Sequence, residues 1–210
     1  MTTRVGRSRR RLSRGYTFVE LLMAMMIFSI GVTGVIAMQK VTLTSNQHAR
    51  DLAMATQIAQ SWMDQLHADA MAWNHPSALR ATNDLSDTVW LSTVAQNNAT
   101  WTRPDWNATR RFGSAFDARG TSINQVDSPN QVKYCTNIRL SWLYQPVGVV
   151  TGGGLMRAEV RVFWLRDGQP RAGNVAFCSN QMDVSAIGAD VARYHFVYQV
   201  SAVRENTAQW

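Results

Sequence analysis

The feature that most restricts what this chain can fold into is an uninterrupted apolar run: no residue between Leu21 and Met38 carries a charge. That length is close to the ~20 residues a membrane-spanning helix requires, and Phe18 and Val19 extend the apolar frame backwards. The one charge at the edge of the run is Glu20, where an isolated carboxylate costs on the order of a few kcal/mol and therefore requires a partner. Ahead of it stand Arg4, Arg7, Arg9, Arg10, Arg11 and Arg14, with no acidic residue in the first 15 positions. Such a basic flank stays on the cytoplasmic side, so the chain after Lys40 is expected to face outward. A cleaved secretory signal has a shorter apolar core followed by small residues, and the nearby Ala53-Met54-Ala55 lies well beyond the membrane edge in a helical pattern. The absence of cysteine near the run also disfavours a lipoprotein anchor.

The junction itself is specific. Gly15-Tyr16-Thr17-Phe18-Val19-Glu20 followed by a long apolar run resembles the class III signal of type IV pilins and type II secretion pseudopilins, commonly written GFTLxE. The resemblance implies that a prepilin peptidase cuts between Gly15 and Tyr16 and methylates the new N-terminus at Tyr16, leaving the apolar helix in place. Glu20 becomes the fifth mature residue. Ser29 to Gln39 is most similar to minor pilins of the PilV type, which often read SIGLLGLAALQ there. Tyr16 replaces the usual phenylalanine with the ring kept. The helix-loosening proline of major pilins is missing before Pro76, which suits a minor or initiating subunit. About the first 60 residues carry the resemblance.

In a filament that packs such helices away from lipid, the Glu20 carboxylate must be paired, and a neighbour's N-terminal ammonium is the available cation. The plainer alternative is that Glu20 snorkels at the helix start, where the macrodipole favours an anion. Gly31 and Gly34, small residues three apart, would let the helix stretch or pack closely during assembly.

The net charge of +7 suggests nucleic acid at first sight, but six arginines lie in the leader and the mature chain keeps only +1. Trp101, Arg103, Trp106, Arg110 and Arg111 interleave rings with cations as single-strand DNA readers do. Two or three arginines make too small a footprint, and nucleic acid is not expected as a partner. Cys135 and Cys178 fall in the half predicted to be in an oxidising compartment. A disulfide between them is expected, with two buried thiols as the alternative; closing a loop of about 40 residues stabilises by roughly 4 kcal/mol in the chain-entropy model.

Helical spacing continues through Leu52, Ala55, Ala59, Trp62 and Leu66 and should stop near Trp73, before Asn74-His75-Pro76. Tyr16 to Ala72 would then form one helix about 85 Å long. Residues 77–130 are polar, with Trp90, Trp101 and Trp106 scattered among them, and read as loops with short elements. From Val132 to Tyr144 alternation is strict, with Tyr134, Thr136, Ile138, Leu140 and Trp142 on the apolar face and Cys135 on the polar one. Leu155–Arg166 is a second strand after a glycine-rich turn at 148–154, and Asp167-Gly168 signals a hairpin. Val175–Cys178 is expected as a third strand. In a last strand, Tyr194, Phe196, Tyr198, Val200 and Ala202 alternate with His195, Val197, Gln199 and Ser201.

An antiparallel sheet with one apolar face can cover the outer half of the helix. The expected architecture is α+β: a long N-terminal helix, membrane-spanning in its first half, packed against a small antiparallel sheet. The expected parts are a leader at 1–15, a membrane and assembly segment at 16–40, an outer helical half at 41–73, and a C-terminal domain at 74–210. Nothing in the sequence spells enzyme chemistry. The four histidines lack H-E-x-x-H spacing, the cysteines lack C-x-x-C spacing, and Gly152-Gly153-Gly154 has no following Gly-Lys-Ser/Thr, so no cofactor or metal is expected.

The resemblance implies a minor pilin partnered by other major and minor pilins, the prepilin peptidase, an inner-membrane assembly platform and membrane lipid. It would move from the inner membrane, with its C-terminal domain periplasmic, to the pilus at the cell surface. A minor pseudopilin of type II secretion is the nearest alternative, and a DNA-uptake or adhesin subunit at the filament tip the next.

Overall fold

The computed structural model of the chain describes residues 15–73, 85, 87–145, 154–166 and 177–206. Two compact units divide it, Met1–Ala49 and Arg50–Trp210. A helix of 53 residues, α1 (Phe18–Ala70), begins in the first unit and ends in the second. The turn formers at 74–76, the glycines at 148–153 and the Asp167-Gly168 pair lie outside the described residues.

In the first unit every described residue is exposed, apolar ones included: Phe18, Ile27, Phe28, Ile30 and Met38 all lie open. A helix apolar on all sides finds its stable surroundings in lipid or among other apolar helices. It is long and apolar enough to cross a membrane.

In the second unit α1 becomes one-sided. Ala55, Ile58, Ala59, Trp62, Met63, Leu66, Asp69 and Ala70 are buried at three- and four-residue spacings, whereas Leu52, expected on this stripe, is exposed. The stripe packs on an antiparallel sheet built from β3 (Tyr134–Tyr144), β4 (Leu155–Leu165) and β5 (Tyr194–Arg204), with the two-residue strands β1 (Trp101–Thr102) and β2 (Ala115–Phe116) both pairing with β3. This is an α+β arrangement of one long N-terminal helix against a small antiparallel sheet, and the sheet order β1-β3-β4-β5 leaves β5 at an edge.

Register fixes the faces. Ile138 lies opposite Val160 and Thr136 opposite Val162, and those β4 residues lie opposite Gln199 and Val197 of β5. Tyr134, Ile138, Leu140, Met156, Ala158, Val160, Val162, Trp164 and Val203 join the helix stripe in one core, with Trp62 edge-on to Trp90. Gly154 closes the far end: a Cβ there would stand 2.3 Å from Cζ2 of Trp73, so only glycine lets the strand pass under that ring.

Three expectations are corrected. The odd-numbered face of β3 was read as polar, yet Cys135 is fully buried, in a second core with Phe163, Phe177, Cys178, Ile187 and Tyr194. The structure joins Cys135 to Cys178 in a disulfide on that face, under the segment that contains the short helix Ala186–Ala189. Phe177 and Cys178 lie in a turn rather than a third strand, with Cys178 in the left-handed region at φ 65°; residues 175 and 176 lie outside the described set. In β5 the aromatic set Tyr194, Phe196 and Tyr198 points away from the helix, because the register with β4 places His195, Val197, Gln199, Ser201 and Val203 on the helix side.

Candidate membrane assembly site

The helix begins with a cap. Thr17 Oγ1 accepts the Glu20 N–H at 3.3 Å, and the Thr17 carbonyl accepts from Glu20 and Leu21. Thr17-x-x-Glu20 is thus a capping-box sequence in which the N-cap hydroxyl satisfies one of the orphan N–H groups of the first turn. The sequence reading missed this role of Thr17, although the signal, threonine three residues before glutamate at the head of an apolar run, was present. Glu20 lies in the first helical turn, where its charge suits the macrodipole. It is exposed, and no cation pairs with its carboxylate among the described residues. Gly15 and Tyr16 precede the helix outside regular secondary structure, with Tyr16 85% exposed, so the Gly15–Tyr16 peptide bond is not shielded by the described chain.

Further along, the hydroxyls of the apolar run are satisfied locally. Ser29 donates to the Met25 carbonyl at 2.8 Å, and Thr33 to the carbonyls of Ser29 and Ile30 at 3.0 and 2.9 Å. That is what a hydroxyl must do in hydrocarbon, and back-bonding of this kind also favours slight bending of a helix. Gly31 and Gly34 fall in the same stretch, and a Cβ at either would meet nothing within 4 Å. Among the described residues, then, no packing partner explains them.

The tryptophan-arginine segment is dispersed into structural roles. Arg103 donates to the Cys178 carbonyl at 2.5 Å and to Gln125 Oε1 at 3.0 Å. Arg110 pairs with the buried Asp69 at 3.0 Å. Trp101 leaves the others and lies against the guanidinium groups of Arg139 and Arg161, 4.6 and 4.5 Å from its ring. These side chains do not form a single basic aromatic track. His67 meets Ser201 Oγ at 3.2 Å. Among the described residues no cluster of three or more His, Cys, Asp or Glu side chains is placed to hold a metal.

Residues 10–36 match the prokaryotic N-terminal methylation motif. The matched stretch contains Gly15, Tyr16, Thr17, Glu20, Gly31 and Gly34, and so coincides with the basic flank, the cap and the apolar helix. Comparison with curated proteins and with solved structures gives no match. The motif, the membrane-length helix and the helix-on-sheet fold together support a protein of the type IV pilin or pseudopilin type, and the signal implies processing by a prepilin peptidase and assembly with other pilins.

Proposed function

We propose that this chain is a minor pilin of a type IV pilus. It is held in the inner membrane by residues 16–40, with the C-terminal domain on the periplasmic side, cut after Gly15 and methylated at Tyr16. It then joins other minor pilins in the complex that starts or caps the filament and so supports adhesion or twitching motility. The observation that carries the reading is the juxtaposition of an exposed Gly15–Tyr16 bond, a capped first turn bearing Glu20, and a helix apolar on every side. A carboxylate at the mouth of an apolar helix is stable in a helical bundle only beside a cation, and cleavage after Gly15 creates one at Tyr16 of each neighbouring subunit.

The test is intact mass and N-terminal sequencing of the chain recovered from membranes with and without the prepilin peptidase. A methylated Tyr16 terminus that depends on the peptidase is the expected result, and an uncut chain in both strains would overturn the reading. A minor pseudopilin shares all three features, and a deletion strain separates the two: lost surface pili identify the pilus, lost exoprotein secretion the secretion system.

A further inference from the structure

Among the described residues, no strand covers the β5 edge of the sheet. Gly154 accepts the Glu205 N–H at 2.9 Å and the Arg193 carbonyl accepts the Arg166 N–H at 3.0 Å. Both pairs continue the β4–β5 register, and both involve even-numbered residues on the β4 side. Hydrogen-bonded pairs alternate along an antiparallel ladder, so His195, Val197, Gln199, Ser201 and Val203 bond to β4. The N–H and C=O groups of Phe196, Tyr198, Val200 and Ala202 therefore point to the open side. No strand pairs with them among the described residues.

Edges of this length are ordinarily blunted by proline, lysine, a bulge or a covering segment. Here β5 runs in unbroken register for 11 residues and contains neither proline nor lysine. Its outer face is apolar where it is open, with Tyr198 and Val200 each 53% exposed. The same sheet face is basic. By register it carries Arg139, Arg157, Arg161 and Arg204 against the single carboxylate of Glu159. Glu159 is already held by Arg139 and by Arg157 at 2.6 Å. Arg161 is buried, donating to Asn137 Oδ1 at 2.8 Å and to the Val184 carbonyl at 2.7 Å, and its Nε has no acceptor among the described residues.

We infer that the β5 edge is an acceptor site for an extended segment of another pilin-class subunit, one that adds as a further strand and carries carboxylates on the side of the arginine face. Main-chain hydrogen bonds to Phe196, Tyr198, Val200 and Ala202 supply the attachment, and alternate apolar side chains of the incoming strand cover Tyr198 and Val200. Charge selects the partner: a second copy of this chain would bring its own arginine-rich face alongside, whereas an acidic strand complements it. The inference rests on the pilin-class reading for the identity of the partner.

The experiment uses the full chain in its own cells, with a photoreactive p-benzoylphenylalanine replacing Ala202 and the cross-linked peptides identified by mass spectrometry. The expected adduct joins position 202 to an extended, acid-bearing segment of a different pilin-class subunit. Val200→Pro removes an outward N–H while leaving the β4 ladder whole, and should lower the adduct about ten-fold. Arg157→Glu, which leaves the edge intact, should lower it as well. Non-reducing mobility of the Cys135–Cys178 bridge reports that each variant has folded, and if Val200→Pro misfolds, Arg157→Glu alone decides. An adduct between two copies, an adduct to a helix, or yields unchanged by a folded Val200→Pro or by Arg157→Glu would overturn the inference. So would no adduct from a chain that is correctly cut after Gly15. A chain that is not cut at all overturns the pilin reading instead, so the two failures are distinguishable.

Discussion

A carboxylate in the last turn of a helix faces the negative end of the macrodipole, yet Asp69 is there and completely buried. It is held by donors. The N–H groups of Val89, Trp90 and Leu91 reach it at 2.8 to 3.0 Å, and Arg110 Nη2 at 3.0 Å. Asp69 therefore fastens the segment around Trp90 to the helix and supplies the acceptor that those buried N–H groups need. Asp69→Ala should cost about 3–5 kcal/mol, because it strands a guanidinium and three amides at once. Urea unfolding of the full chain in detergent would measure it, and a loss below about 1 kcal/mol would show the network to be dispensable. Tyr134 makes a pH-dependent contribution. Burial, and then the hydrogen bond that its hydroxyl donates to Asp51 at 3.0 Å, hold its phenol above the usual range. The unfolded chain releases that proton near pH 10 and the folded chain only at higher pH. The stability from Tyr134 is thus complete below about pH 10 and falls as pH rises beyond it, by at most ~1.4 kcal/mol per unit. Tyr134→Phe should flatten the alkaline limb of a stability profile, leaving the contribution of Tyr194, whose phenol burial also raises. Identical slopes in the two proteins would refute the assignment.

At the scale of elements, the disulfide and the second core beneath it hold the segment after Phe177 to the outer face of the sheet. Replacing Cys135 and Cys178 together by alanine should destabilise the full chain by about 2–4 kcal/mol. The change should appear as a lower urea midpoint, and an unchanged midpoint would mean that aromatic packing around Phe163 suffices. That second core also explains what the sequence could and could not convey. The helix, β3 and β4 are legible because each has one strongly apolar face, at period 3.6 or 2. The strand β5 is legible as a strand, but its orientation is not: Tyr194 and Phe196 are apolar because they pack around Phe163 on the far side, and hydropathy alone makes them the inward set. Cys135 misleads for the same reason, since Asn137 and Arg139 on its face are polar while its cover comes from other strands and from the segment at 177–187, none of which its local pattern reveals. The role of Asp69 was hidden differently. It continues the apolar stripe three residues after Leu66, and only the amides at 89–91 explain why an acid stands there. At the assembly end, the N-terminal methylation motif at residues 10–36 is legible because such a signal is local sequence, which needs no fold to be read.

For the whole molecule, the main question is what replaces water around the first half of α1. The C-terminal unit has its own core, whereas residues 15–50 bury nothing. In lipid the apolar side chains would be satisfied and Glu20, at the start of the helix, would lie near the headgroup level with its carboxylate hydrated. On the proposed pilin reading, transfer into a bundle of similar helices would keep the apolar surroundings but remove that water, and Glu20 would then need the ammonium that cleavage creates at a neighbouring Tyr16. A charge that costs little before assembly and requires a partner after it would act as a register on that reading, because subunits seated out of step would leave the carboxylate unpaired. Glu20→Gln keeps the size and the Thr17 cap but removes the charge, so cleavage after Gly15 and membrane retention should persist while recovery in sheared filaments falls by about ten- to hundred-fold, the scale of roughly 1.4–2.8 kcal/mol. Immunoblots of the membrane and filament fractions separate the two steps. Equal recovery of the variant and the parent chain would mean that Glu20 remains hydrated at the filament surface and that the register is set by apolar packing alone.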